Sequence, residues 1–342
     1  MRKSVKEIEN VLHNHGYSID TIILDVMKTF KFKTICRKVG FQKQDGYSAS
    51  EIVTLMLMLP LMLLKSVNAF YKSGFQQVSA MKKDSLYRLK NNERMPWRTL
   101  LLAVAKQFQR LVNPEKEIAT HSAFILDDTM EAKTGRRIEQ ISMVHDHVSG
   151  KQGSKLGFKN QTLGLFDGKS FNPLDFSLHA EKRLKKARHR REQYRKQRAP
   201  QSSGAKRVRE CHTDKITNGL NMLKRASKQG FRANYILVDS WFSSKEFIQT
   251  AREIGKKPMH IICGVRKDKR NYIYQGNTLN AKKILSTLKS ECKEKRCRKR
   301  NTRYFEVLVI TKGLEKSNCI FAVFPTKKNG GYFSRPIQPS GF

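Results

Sequence analysis

The chain has 342 residues, with 68 Lys and Arg against 29 Asp and Glu, giving a formal net charge of +39 at pH 7. Self-repulsion of that size points to a polyanionic partner, because phosphate contacts release counterions and supply affinity without sequence specificity. The N-terminus lacks an apolar signal core, the apolar run 52–64 is too short and too interrupted by Thr54 and Pro60 to span a bilayer, and none of the six cysteines forms a Cys-x-x-Cys pair; a secreted, membrane or zinc-ribbon protein is therefore not expected.

In chain order, residues 1–118 read as a helical, basic domain. Ile8, Val11 and Leu12 start a periodic face, Ser50 with Glu51 opens an apolar helix over 51–65, and Trp97–Val112 is amphipathic and ends at Asn113-Pro114. This block could recognise DNA, or serve as a scaffold or dimerisation element. Residues 119–265 change character. The apolar run 123–126 reads as a strand and is followed by Asp127-Asp-Thr129. Two more strands, 160–166 and 171–178, flank the hairpin turn Asp167-Gly168.

A 17-residue run, 182–198, then holds ten cations: Lys182, Arg183, Lys185, Lys186, Arg188, Arg190, Arg191, Arg195, Lys196 and Arg198. Ten cations exceed what solubility needs, so the run is read as a grip on the nucleic-acid backbone, with a solvated helix face as the plainer reading. A loop over 199–204 and a helix over 213–230 follow, then a buried strand, Tyr235 to Val238, ending on Asp239. Ser243 and Glu246 have capping-box spacing, Phe247, Ile248, Ala251 and Ile254 repeat at helical spacing, and Gly255 can stop that helix. A further strand spans 259–265. Residues 266–325 read as β-rich and basic, with strands at 271–275, 304–311 and 320–324, and 326–342 as an irregular Gly/Pro/Ser-rich tail.

Two strand-end carboxylates, Asp127 and Asp239, stand 112 residues apart on a strongly basic chain. Carboxylate oxygens suit Mg²⁺ or Mn²⁺, and such ions can clamp the attacking and leaving oxygens of a phosphodiester. Taken singly, each Asp is as well explained as a cap or turn former. His145 and His147 alternate and could share a strand face, but local hydrogen bonding explains them better than a metal pair. Trp241 is expected to pack beside the site, with stacking on an extruded base as the alternative. Ser240 lacks a Gly-x-Ser-x-Gly context, and the sequence shows no Walker-type loop.

The order strand, hairpin, helix, strand, helix, strand suits an RNase H-like mixed sheet flanked by helices, an α/β fold. With Asp127-Asp-Thr129, His145-Asp-His147, Gly-Phe-Lys159, Asn160-Gln-Thr-Leu-Gly-Leu-Phe-Asp-Gly168 and Val238-Asp-Ser-Trp-Phe242, the chain resembles insertion-sequence transposases of the IS4 type, within the DDE superfamily. The resemblance implies DNA strand cleavage and strand transfer using Mg²⁺ or Mn²⁺. It implies metal ligands at Asp127, with Asp128 the adjacent alternative, and at Asp239, and a β-rich insertion matching 266–325. It also implies transposon-end and target DNA as partners, a homodimer in a synaptic complex, and a cytoplasmic, nucleoid-associated location. The family's third acid lies in a Tyr-x-x-Arg-x-x-x-Glu helix, and none of Tyr272, Tyr274, Tyr304 or Tyr332 opens the full pattern. The chain is therefore expected to stop before that helix and to be inactive alone. The rival reading is a basic nucleic-acid-binding protein without catalysis.

Overall fold

The computed structural model describes residues 19–73, 79–115, 118–135, 137–146, 153–181, 196–265, 270–291, 295–297, 302–311, 318–324 and 331–336. The chain divides into two compact units, residues 1–114 with 195–209, and residues 115–194 with 210–342.

The first unit is helical: α1 Ile19–Thr29, α2 Phe32–Lys38, α3 Ala49–Leu61, α4 Val67–Lys72, α5 Lys83–Asn91 and α6 Trp97–Val112. The opening of α3 lies two residues before the expected one. Ser48 is its cap: Ser48 Oγ accepts from Glu51 N–H while the Glu51 carboxylate takes the Ser48 N–H at 2.7 Å, a capping box that satisfies two orphan donors. Pro60 falls in the last turn, and α3 ends at Leu61 rather than continuing to 65. Phe41, Ile52, Phe70, Leu86 and Leu89 fill the core of this unit, with Trp97 set edge-on to Phe41 at 4.7 Å between ring centroids. Residues 199 and 204 attach to the same unit through Glu93, whose carboxylate accepts the Ala199 N–H and whose carbonyl accepts the Gly204 N–H. Ile8, Val11 and Leu12 lie outside the described residues.

The second unit is built on one mixed sheet. Its first half comprises β1 Ala123–Ala132, β2 Ser142–His145, β3 Ser154–Phe166, β4 Phe171–His179, β5 Tyr235–Val238 and β6 His260–Val265. Its later strands are β7 Asn271–Tyr274, β8 Asn277–Asn280, β9 Lys295–Cys297, β10 Thr302–Thr311, β11 Asn318–Phe324 and β12 Gly331–Pro336. The strand order is β2-β3-β1-β5-β6-β12-β11-β10-β7-β8, with β4 also pairing β3 and β9 pairing β10. β1 is antiparallel to β3 and parallel to β5, and β5 is parallel to β6. The expected element order is thus present, as an RNase H-like mixed sheet flanked by helices. The β3–β4 turn is the one read from Asp167-Gly168: Asp167 accepts the N–H groups of Lys169 and Ser170, and Gly168 sits at φ +99°.

Helix α7 spans Ser203–His212, and α8, Lys215–Lys228, is capped by Asp214, which accepts the Thr217 N–H at 2.9 Å. The α8 helix packs on β3, β4 and α9, Lys245–Arg252. Phe124, Leu126, Leu163, Leu165 and Ile236 alternate onto the buried side of the strands, while Leu220, Leu223, Phe242 and Phe247 are buried in the elements that cover it. At Gly219 of α8 an added Cβ would lie 2.6 Å from Leu126 and 3.3 Å from Phe242, so this close approach requires glycine. Arg225 of α8 completes the join by meeting the buried Asp175 of β4 at 2.8 Å. The second half of the sheet carries its own cluster, in which Ile284 and Leu288 of α10, Ala281–Ser290, pack with Tyr272, Tyr274, Phe305 and Val309.

Three local expectations change. First, β1 does not end at Leu126: it continues through Asp127 and Asp128 to Ala132 because β3 runs beside it for ten residues. Second, Ser243 and Glu246 form no capping box. Asp239 caps a 3-10 turn, Ser240–Phe242, Ser244 caps α9, and Ser243 Oγ donates back to the Ser240 carbonyl; α9 closes at Arg252 before Gly255 is reached. Third, the tail expected to be irregular contains β12, Gly331–Pro336, hydrogen-bonded between β6 and β11. The slot between two strands and the β-favouring Tyr332-Phe333 outweigh the flanking Gly and Pro signals. No described helix is long and apolar enough to cross a membrane.

Candidate active site

The carboxylates expected to work together come from adjacent parallel strands. Register pairs Leu126 of β1 with Val238 of β5, so Asp127 and Asp239 are the next residues on each side, where the parallel ladder ends. Strands in a sheet lie ~4.8 Å apart. The site therefore forms from two short apolar runs that must pair to bury Ile236 and Leu126. An added turn, fixed as Asp239 Oδ1 accepts the Trp241 N–H at 2.9 Å, ends β5 and orients the second acid.

Alternation along β1 gives the two neighbouring acids different surroundings. Asp127 is exposed, and its Oδ1 accepts the Asp128 N–H at 2.8 Å. Asp128 turns toward the packed side and is engaged by two ammonium groups. Lys215, the first residue of α8, is in direct contact with Asp128 Oδ2, and Lys159 Nζ is 3.7 Å from the same oxygen. Lys159 is buried and also lies 3.3 Å from Glu181, whose other oxygen accepts the His145 N–H at 2.9 Å. A buried ammonium shared between two carboxylates is expected from the cost of leaving it unpaired.

Gln161, opposite Asp128 in the β1–β3 ladder, donates to the Lys215 carbonyl at 2.9 Å. His179 Nδ1 meets the Thr213 carbonyl at 3.0 Å; burial lowers its pKa and Lys215 adds to that, against the opposing effects of Glu181 and Asp128.

Asp239 differs electrostatically from an ordinary surface carboxylate. Although much of the residue faces solvent, partial burial of its carboxyl raises the pKa, and the charges of Asp128 and Asp127 push the same way. The Trp241 N–H and Lys215 act in opposition. Crowded carboxylates of this kind favour a divalent cation, and hard carboxylate oxygens fit Mg²⁺ or Mn²⁺. Among the described residues, no group of three or more His, Cys, Asp or Glu is arranged to hold a metal ion.

Trp241, expected to be packed, is 51% exposed, with Lys215 Nζ 5.4 Å from its ring centroid. Arg270 ties down the same turn by donating to the carbonyl and, at 3.0 Å, to the hydroxyl of Ser243. Of the cationic run, Lys196 and Arg198 are described, with Arg198 donating to the Lys196 carbonyl; Lys182, Arg183, Lys185, Lys186, Arg188, Arg190, Arg191 and Arg195 lie outside the described residues, as does His147. His145 Nδ1 meets the Gly153 carbonyl at 3.0 Å, in keeping with local hydrogen bonding.

Sequence reading missed the Lys159–Asp128–Lys215 cluster. The only signal was three charged residues in apolar or strand contexts, and their partners are remote in sequence. Arg335, which stands three residues after Tyr332 and completes the first half of the Tyr-x-x-Arg-x-x-x-Glu pattern, was also missed. Both lie on β12, a strand, and the position for the acid is Pro339.

A family model described as DDE superfamily endonuclease matches residues 55–283, a span that includes Asp127, Asp128 and Asp239. No curated protein matches the chain. With two acids at the end of the β1–β5 ladder of a mixed sheet, and with two thirds of its length inside that match, the chain belongs to the DDE superfamily endonucleases.

Proposed function

We propose that this chain is an insertion-sequence transposase of the IS4 type, acting on transposon ends and target DNA by phosphodiester cleavage and strand transfer. The observation that carries the reading is the β1–β5 register, which brings Asp127 and Asp239 together at a strand end within a DDE endonuclease family. Asp127 is the better first ligand, because it is exposed while Asp128 is committed to Lys215 and Lys159. Asp127 and Asp239 would hold the divalent ion, which supplies neutralisation of charge on the scissile phosphate and acidification of the attacking hydroxyl. The Trp241 N–H orients Asp239, and Asp128 with its two lysines keeps β1 and α8 in place beneath it. The net charge of +39 provides sequence-independent attraction for DNA.

The rival, a basic protein that binds DNA without cutting it, draws support from the lack of a third acid grouped with these two among the described residues. One experiment separates the readings. Purified chain is incubated with supercoiled plasmid and with cognate ends, in Mg²⁺ or Mn²⁺. Metal-dependent nicking lost in Asp127→Ala supports the transposase and overturns the expectation that the chain is inactive alone. Binding with no nicking by the wild-type chain supports the rival.

A further inference from the structure

We propose that Trp241 is a stacking platform for an unpaired base of the DNA strand that enters the acid site. This rests on the DNA-cleaving reading above. A half-exposed indole leaves apolar surface in water that burial would stabilise, so its placement calls for a cause. Packing is not the cause, because 51% of the residue is open. Nor is the ring simply loose on the surface. Its backbone N–H is held by Asp239, and the Lys215 ammonium stands over the ring while itself held by Asp128. The acid cluster therefore holds the backbone of Trp241 through Asp239 and one face of its ring through Lys215, which leaves the other face to a base. Such a fixed aromatic loses little freedom when a base settles on it.

The distance suits the task. One residue, Ser240, separates Asp239 from Trp241, so their Cα atoms are at most ~7 Å apart. Phosphates recur every ~3.4 Å along one strand of a duplex, so the platform lies one or two nucleotides from a phosphate at Asp239. Every base has a π-face, so the contact reads no sequence. It selects strands whose bases can leave the helix stack.

The probes are a 12-nucleotide dT strand and an abasic 12-mer with the same phosphates. The chain has two tryptophans, Trp97 and Trp241, so Trp97→Phe leaves Trp241 as the sole reporter. The dT strand should quench its emission and the abasic strand should bind without quenching it. Because Trp97 packs on Phe41, affinity is measured separately by anisotropy in the otherwise unaltered chain. Trp241→Ala should weaken dT binding by about fivefold or more, the loss of one stacked base. It should leave abasic binding unchanged, and Trp241→Phe should restore most of the dT affinity. Equal quenching by both strands, or equal affinities of wild type and Trp241→Ala for dT, would overturn the platform while abasic binding upholds the DNA reading. Failure of both strands to bind the wild-type chain would remove the DNA reading as well.

Discussion

The two sides of β1 differ more than the sequence Asp127-Asp128 suggests. On one side, Phe124, Leu126 and Asp128 face α8, and Asp128 ends among two lysines. On the other, Asp127 is exposed, and β4, one strand further on beyond β3, presents Phe171, Phe176 and Leu178 at 49%, 37% and 37% exposure. One residue of register separates the two acids, and alternation sends them to opposite faces. One carboxylate becomes part of the packing while its neighbour stays available to a ligand. A pair of adjacent acids therefore need not be a redundant pair.

The comparison is broken most severely through the exposed acids. Asp127→Asn or Asp239→Asn should each lower metal-dependent nicking by about 10²–10³-fold, since neutralisation of the phosphate is worth several kcal/mol and tenfold is 1.36 kcal/mol. Urea midpoints should stay near wild type for Asp127→Asn. If Asp128→Asn abolished nicking and Asp127→Asn did not, the roles of the two would be exchanged. The packed acid should show the reverse profile. Asp128→Ala leaves Lys215 and part of the buried Lys159 charge uncompensated, and breaking a buried pair in this way costs ~3–5 kcal/mol. The readout is the urea midpoint of the sheet unit followed by a probe confined to it. A midpoint unchanged in Asp128→Ala would mean that the lysines find water instead.

Much of this arrangement could be read from the chain because it is local. Tyr235 to Val238 is apolar and ends in an acid, Asp167-Gly168 demands a turn, and the helix expected over 213–230 is present as α8. The strand order then makes β1 and β5 neighbours. What escaped depends on remote partners. The extension of β1 over Asp127-Asp-Thr-Met-Glu131 has poor strand propensity and exists through its ladder with β3. The short strand β2 has four residues and is set by β3, and β12 is set by β6 and β11. The Lys159–Glu181 and Lys215–Asp128 pairs join residues that no periodicity connects. The cap of α9 was missed by one residue because Ser243 and Ser244 are both capable of it, and Ser243 is taken by the preceding turn.

A gentler test compares apolar residues across the same strands. Leu163 of β3 is fully buried against α8, so Leu163→Ala should cost ~2–5 kcal/mol. Phe176→Ser, on the more open side at 37% exposure, should cost less, about 1 kcal/mol, and should raise solubility by shrinking an exposed apolar patch. Denaturation midpoints and the concentration at which the chain precipitates give both numbers. Equal destabilisation by the two changes would show that the open side is covered in solution.

The smallest expected effect is a gain in stability at Asp239. Its pKa is raised by partial burial and by Asp128 and Asp127, so the folded chain binds this proton more tightly than the unfolded chain does. As pH rises through the unfolded value and then the higher folded one, folding has to overcome that difference, and stability falls; above the folded value the deficit is constant. At pH 7, without metal, the ionised carboxylate is therefore a burden on the fold. Asp239→Asn removes the charge and keeps a side-chain oxygen to accept the Trp241 N–H. Its Tm in chelator at pH 7 should exceed that of the wild type by a small margin, because solvent screens the charge of a carboxylate this exposed. The difference should shrink as the pH is lowered and the wild-type acid takes up its proton. Adding Mg²⁺ should reverse the order, because a cation held by two carboxylates stabilises the wild type and has lost one ligand in the variant. A variant less stable than wild type at pH 7 in chelator would mean that the carboxylate's charge supports the turn, and that the acids are not held in wait for a cation.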